Sequence, residues 1–343
     1  MLHKIRKGNE ETVYFRNPKL TTPPIAFSYC LLSIPYSLLL SLLPTASPPM
    51  NGFINLNKPS GITSRDAVNV VRRMLPRKTK IGHAGTLDPL ANGVLVIAVG
   101  SATRLIEYAQ EGRKTYRAEF LLGRSSDTED VEGAVVELEN PAIPTRESLR
   151  SAAQLWTGVI MQKPPIYSAL KINGQPAYKL ARKGKDVDLA ARKITIYSAT
   201  LLDYQYPVMK WELVCSSGTY VRSWGRDVAR SAGTEAVMSA LTRTQVGLFR
   251  LEDSDAPVPA SECNGEFPYR LLPPLTGCPD LPKVTLTESQ IYNLRQGKFI
   301  LLDAPPQTSP NSPLAGLDSA GVLKAILAMR PDGSFQAIKN LVE

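Results

Sequence analysis

Gly82-His83-Ala84-Gly85-Thr86-Leu87-Asp88-Pro89-Leu90-Ala91-Asn92-Gly93 is the most informative stretch of this 343-residue chain. Three glycines and a proline in a dozen residues describe a shaped loop rather than a flexible spacer. On its far side Val94 to Val99 is a continuous aliphatic run, the pattern of a fully buried strand. Loops gripped by rigid elements are where reactive groups are commonly placed. Asp88, set between Leu87 and Pro89-Leu90, is the group such a loop would present. A carboxylate in apolar company must find a cation or a hydrogen-bond donor. Taken alone, Asp-Pro is also an ordinary turn.

Upstream, Asn51 to Leu56 reads as a short strand stopped by Lys58-Pro59-Ser60-Gly61. Thr63 or Ser64 can cap a helix carrying Ala67, Val68, Val71, Met74 and Leu75 at helical spacing, ended by Pro76. Arg72, Arg73, Arg77, Lys78 and Lys80 then form a compact basic cluster, either a solvated helix end or a set of phosphate contacts. Downstream, Tyr116, Ala118, Phe120 and Leu122 alternate with Arg117 and Glu119, the period of a half-buried strand. Glu147 to Trp156 predicts a helix, and Tyr167 to Ile172 a strand entering a tight Asn173-Gly174 turn. Ile194 to Leu202 and Trp211 to Cys215 are further strands, with Val221 to Arg230 helical and Gly233 as its C-cap. Many strands without a regular βαβ rhythm predict an α+β fold with a mainly antiparallel sheet flanked by helices. Prolines at 257, 259, 268, 273, 274, 279 and 282 mark a linker, and the alternating apolar stretches beyond it predict a small β-rich second domain. The expected divisions are residues 1–49, 50–274 and 275–343.

Forty Lys and Arg against 31 Asp and Glu leave a formal charge of +9, which favours a polyanionic partner. The four cysteines, Cys30, Cys215, Cys263 and Cys278, contain no C-x-x-C pair, and His3 and His83 are the only histidines. That usage excludes a histidine-rich metal site and fits a reducing, cytoplasmic setting. No helix-turn-helix or zinc-finger spacing supports a DNA partner. In the first fifty residues Lys4, Arg6, Lys7, Arg16 and Lys19 precede an apolar run, Ile25 to Leu43, broken by Pro35. This pattern suits a signal peptide, a marginal membrane span, or an extension upstream of a true start at Met50. The third reading is preferred, because everything after Met50 reads as a complete cytosolic enzyme. Membrane association is expected only if the segment is real.

The string around Asp88 resembles the catalytic motif of the TruB-type pseudouridine synthases, which modify uridine-55 in the T-loop of tRNA. The resemblance covers essentially Asn51 to Phe249, and further blocks follow in the family's order. They are Leu56-Asn57-Lys58-Pro59-Ser60-Gly61, Lys114-Thr115-Tyr116-Arg117, Tyr167-Ser168-Ala169-Leu170-Lys171, Ser217-Gly218-Thr219-Tyr220-Val221-Arg222 and Leu241-Thr242-Arg243-Thr244. The resemblance implies that Asp88 is the required aspartate, acting on the ribose or the uracil while the glycosidic bond breaks. It also implies that Tyr116 stacks on the flipped uracil and assists proton removal from C5, and that Arg222 pairs with the aspartate. Tyr220 and Leu241 would line the uridine pocket, and His83 would contact the RNA where the base has left. The implied enzyme is a metal-free monomer that acts on the tRNA T-arm without a guide RNA. A helical insertion near Glu147 and a short C-terminal tail favour that form over the guide-RNA-dependent synthases. The region from about Leu275, with its proline-rich insertion Pro305 to Pro313, resembles the family's PUA-like RNA-binding appendage in outline only.

Overall fold

The computed structural model describes residues 2–7, 10–15, 50–168, 170–172, 175–177, 189–263, 266–303 and 312–342. It divides into two units, Met1–Pro48 and Pro49–Glu343. In the first, Leu2–Lys7 and Glu10–Phe15 pair as antiparallel strands. The apolar run Ile25 to Leu43 lies outside the described residues, as does most of the insertion Pro305 to Pro313.

The second unit is built on a nine-stranded sheet. Its strands are β1 (Gly52–Lys58), β2 (Ile81–His83), β3 (Asn92–Val99), β4 (Lys114–Leu122), β5 (Gly158–Gln162), β6 (Arg192–Gln205), β7 (Val208–Cys215), β8 (Ala236–Val246) and β9 (Phe249–Arg250). They run in the order β1-β3-β8-β4-β7-β6-β5, with β2 beside β3 and β9 beside β8. Every pair is antiparallel except β3–β8, where Asn92 and Gly93 lie beside Thr242 and Arg243. The expected α+β class with a mainly antiparallel mixed sheet is therefore what forms. Strand β3 shows why its sequence does not alternate. Val94, Val96 and Ala98 enter the cluster around Phe53 and Phe249, whereas Leu95, Ile97 and Val99 enter the one beneath the first helix. Both faces are buried, so both registers are apolar.

Among the described residues four helices lie against the sheet: α1 (Ser64–Arg72), α2 (Ile106–Glu111), α3 (Arg146–Leu155) and α4 (Val221–Ser231). Thr63, not Ser64, caps α1: its hydroxyl accepts from Asp66 N while the Asp66 carboxylate accepts from Thr63 N. The helix ends at Arg72, short of Pro76, because the Met74 and Leu75 amides turn back to Val71 and Arg72 in tight three-residue bonds. Helix α4 sits directly on β4. A Cβ added to Gly225 would fall 1.9 Å from the Phe120 ring, so glycine is required at that crossing. Trp224 from the same helix packs edge-on against Trp211, with ring centroids 5.3 Å apart.

Two expectations need correction. The stretch Tyr167 to Ile172 is not one strand: only Lys171–Ile172 pairs, with Gln175–Pro176, because the Tyr167 carbonyl accepts from Arg222 instead of a strand neighbour. Residues 169, 173 and 174 lie outside the described set. Nor is the proline-rich stretch before Lys283 a free spacer. Leu272 exchanges both backbone hydrogen bonds with Phe53, at 2.9 and 2.7 Å, Tyr269 is buried, and Gly277 lies flat on the Phe53 ring. Prolines stop it from joining the sheet as a regular strand, yet its amides between them still pair with the exposed edge of β1.

Beyond it, β10 (Lys283–Thr285), α5 (Glu288–Arg295), β11 (Leu314–Leu317), β12 (Leu323–Met329) and β13 (Phe335–Asn340) form a second, four-stranded sheet with its helix. One face encloses Leu286, Ile291, Leu294, Leu314, Leu327 and Phe335. Ala315, Leu323, Ile326 and Leu341 join the Phe53 cluster of the large sheet, so the two sheets share a core.

Candidate active site

Asp88 stands at the tip of a loop that is fastened residue by residue. Ser64, in the first turn of α1, donates its hydroxyl to Leu87 O and accepts from Leu87 N, each at 2.9 Å. On the other side Pro89 O accepts from Gly61 N at 2.8 Å, and Ala91 N closes a turn onto Asp88 O. Two buried cations secure the backbone around this point. Lys58 donates to Pro59 O, Ile62 O and Pro89 O at 2.8, 2.7 and 3.4 Å. Arg243 on β8 donates to Val94 O and Gly85 O at 2.8 and 3.1 Å. Gly93 makes that approach possible: its φ is +100°, and a Cβ there would lie 2.3 Å from the Arg243 carbonyl oxygen. Burial pulls the Lys58 ammonium down to about 8, opposed by the charges of Asp88 and Glu132.

Arg222, at the start of α4, connects three segments. Its Nε lies 3.2 Å from Asp88 Oδ2; Nη1 meets Asp130 Oδ2 at 3.0 Å and Thr128 O at 2.7 Å; Nη2 meets Tyr167 O at 3.1 Å. The side chains of Arg222 and Asp130 are 7% and 3% exposed, but that of Asp88 is 38% exposed. One carboxylate therefore serves the buried arginine from within, while the other is presented to solvent. A charge pair so placed fixes orientation, because the guanidinium fork has no other rotamer that keeps all its bonds.

Tyr116 lies on β4 between Leu213 and Arg243 of the flanking strands. Its phenol is buried, close to the charges of Arg243 and Asp88; burial pushes its ionisation above the usual tyrosine range. Leu241 and Leu87 belong to the same buried cluster as Tyr116. Tyr220 is the N-cap residue of α4, its backbone bracketed by the Gln162 side chain, which accepts from Tyr220 N at 2.8 Å and donates to Tyr220 O at 2.9 Å. The Arg192 guanidinium lies 4.8 Å from the centre of the Tyr220 ring and donates to Gly218 O. His83 closes β2; burial, then the charges of Arg243 and Arg65, hold its imidazole below the usual range and so neutral near pH 7.

The structure thus gathers Asp88, Arg222 and Tyr116 at one place, with Leu241 beneath, Tyr220 one residue from the helix that carries Arg222, and His83 within reach of the Arg243 and Arg65 charges. Sequence reasoning assigned no part to Asp130, Lys58, Arg243 or Gln162. All four are at most 3% exposed. The acid-rich segment Asp127-Thr128-Glu129-Asp130-Val131-Glu132-Gly133, directly after a strand, was a signal for the first of them. That segment is stapled to α4 a second time: Glu129, held at φ +63°, accepts from Ser223 Oγ at 2.6 Å and pairs with Arg226.

A comparison of folds gives the class first. The chain superposes on an H/ACA RNP bound to a substrate RNA containing 2′-deoxyuridine, with a TM-score of 0.64 at 20% identity over 85% of each chain. It superposes on a Cbf5–Nop10–Gar1 complex at 0.62, with 23% identity over 82% of this chain and 78% of that one. Sequence then gives the family. Residues 72–221 match the model of the TruB family pseudouridylate synthase N-terminal domain. A tRNA pseudouridine synthase B of Dehalococcoides mccartyi is 39% identical over 295 residues, 85% of this chain and 97% of that protein. Its counterparts from Moorella thermoacetica and Streptococcus gordonii are 40% and 44% identical over 83% and 74% of this chain, and over 96% and 89% of their own. The chain belongs to the TruB family of pseudouridine synthases.

Proposed function

We propose that this chain isomerises uridine-55 in the T-loop of tRNA to pseudouridine, with Asp88 as the catalytic carboxylate. The coarser activity, pseudouridine formation in tRNA, is supported by relatives near 40% identity that span almost their whole length here. The finer reading is supported by one observation above all: a half-exposed Asp88 carboxylate held against a buried arginine. Extraction of the base costs a few kcal/mol of lost stacking, which the Tyr116 ring offsets from below. Cleavage of the N-glycosidic bond develops positive charge on the ribose, and the fixed Asp88 carboxylate stabilises or captures it. The freed uracil turns on the Tyr116 and Leu241 surface, its C5 forms the new bond to ribose C1′ as any bond to Asp88 breaks, and the proton lost from C5 to solvent is matched by one gained at N1. The Tyr116 phenol is protonated at neutral pH, as an ordinary tyrosine is, which suits a stacking platform. Arg222 orients Asp88, while Tyr220 and His83 bound the space around the nucleotide. No electron carrier or phosphoryl donor is consumed, since the two bonds exchange within one nucleotide.

In this reading the protein works alone and as a monomer in the cytoplasm, without a guide RNA. Among the described residues no helix is long and apolar enough to cross a membrane. The C-terminal sheet serves as a PUA-like RNA-binding appendage. The deciding experiment is incubation of the purified protein with an unmodified tRNA transcript, followed by mass-spectrometric mapping. Pseudouridine at position 55 is expected, absent with Asp88→Ala although RNA affinity stays nearly intact. Product only after a guide RNA is added, or turnover by Asp88→Ala, would sink the assignment.

A further inference from the structure

Between Ser64 and Lys80 the chain carries six cations, Arg65, Arg72, Arg73, Arg77, Lys78 and Lys80, and one carboxylate, Asp66. That carboxylate is engaged in capping α1 at Thr63. All six cations are exposed, and none forms an ion pair or a side-chain hydrogen bond among the described residues. Elsewhere on the surface Arg150, Lys193, Arg270, Lys283, Arg295 and Lys298 also lack an ion pair among the described residues, but they are scattered, and other cations face acids. Arg117 faces Glu212, Arg124 faces Glu137, Lys210 faces Glu119, Arg230 faces Glu235 and Lys339 faces Glu107, all within 3.4 Å.

A solvated helix end explains only part of this. Arg72 and Arg73 close α1, where a cation complements the helix dipole. Arg65 sits in the first turn, where a cation opposes it, and Arg77, Lys78 and Lys80 lie past the helix altogether. Unpaired like charges in one short stretch repel one another, and a surface selected only for solubility intersperses acids among them. The cations also have a direction. Arg65 and Arg72 are seven residues apart, two helical turns, and so line up along one exposed flank of the buried stripe Ala67, Val68 and Val71. Arg65 follows Ser64, which pins the residue before Asp88, and its charge bears on His83. Lys80 leads into β2, which returns the chain to His83. The ridge therefore starts with Arg65 beside the Asp88 loop and runs outward to Lys80, whose carbonyl accepts from Gly100 N at the far end of β3.

We infer that this ridge is a phosphate track that grips the RNA backbone beyond the extruded nucleotide, on the α1 side of the cleft. The inference rests on the function proposed above for its substrate class, tRNA, but concerns residues that never meet the reacting base. Its occupant is RNA rather than a protein, because six unscreened cations offer phosphates many partners and offer an apolar surface none.

The test replaces Arg72, Arg73 and Lys78 together by Gln and compares this variant with a charge-matched control, Arg117→Gln, Lys210→Gln and Lys339→Gln. Affinity for an unmodified tRNA transcript is measured across a salt series, and initial rates are measured beside it. Every duplex phosphate that the variant no longer neutralises should lower the slope of log Kd against log salt by about 0.9, so the ridge variant should lose roughly two to three. Its kcat/KM should fall at least tenfold, chiefly through KM, and the control should keep its slope. Lys78→Gln alone, with a slope lower by about one, covers the case in which the triple variant is poorly folded. An unaltered slope in the ridge variants, or an equal loss in the control, would overturn the inference. Should the parent protein bind tRNA with a steep salt slope yet make no pseudouridine, the functional reading fails while the ridge stands.

Discussion

The large sheet and the C-terminal sheet bury different things. Around Asp88 the interior holds Lys58, Asp130, Arg222 and Arg243, whereas the core between α5 and the C-terminal strands is Leu286, Ile291, Leu294, Leu314, Leu327 and Phe335. Every buried polar or charged side chain among the described residues lies between Asn55 and Arg243. Burying an ion costs several kcal/mol, offset only when its bonds are complete. An apolar core has no such demand and reaches the same stability more simply. The large sheet is thus the part built for chemistry: charges are kept inside where their directions matter. The core of the C-terminal sheet only holds that sheet's shape, and its ions lie outside it.

Substitutions in the two regions test this contrast, beginning with the largest effect. Asp88→Asn retains volume and removes charge; turnover should fall on the order of 10⁴-fold or more in single-turnover assays, with the melting temperature scarcely moved. A variant within tenfold of the parent would mean that residue 88 is scaffold. Asp130→Ala strips Arg222 of its inner partner, so it should cost about 3–5 kcal/mol in denaturant unfolding and lower kcat as well. Leu327→Ala, in the apolar core of the C-terminal sheet, should cost about 2–5 kcal/mol with no matching defect in the kcat of the folded fraction. Equal kinetic damage from both would erase the distinction between the two regions.

Lys58 gives the comparison a pH axis. Its folded value, about 8, lies below the ordinary lysine value of 10.5, so the unfolded chain holds more of this proton between those two pH values. Its contribution to stability must therefore rise with pH across that window, while its grip on Pro89 O weakens as the charge is lost. Activity should decline in a one-proton step above about pH 8 even as unfolding becomes harder, and a profile flat to about pH 9.5 would separate Lys58 from catalysis. The smallest effect belongs to the surface. Lys339→Ala removes a 2.8 Å pair with Glu107, whose side chain is 57% exposed, and should change stability by under about 1 kcal/mol.

Much of the fold is legible in the sequence because its signals are local. The alternation from Tyr116 to Leu122, the Thr63 cap and Gly233 after α4 each follow from a residue and its near neighbours. The segment Leu271–Leu272 reads as spacer and pairs with β1 instead, since proline density reports what cannot join a regular strand and not where an amide finds a partner. At the site, Asp88 stands out from its loop and from the family likeness, but Asp130 and Gln162 do not. Their work is done on residues 92 and 58 positions away along the chain.

Strand and helix order, the loop that carries Asp88 and the excess of positive charge are written in the chain itself, because periodicity, capping and composition are properties of neighbouring residues. Folding in three dimensions was needed to stand Arg222 between two carboxylates, to seal Lys58 and Arg243 beneath the loop, and to give the C-terminal sheet a core in common with the first. Those outcomes depend on distance between parts of the chain far apart in order, and burial, which sets the strength of each charge, exists only once they meet.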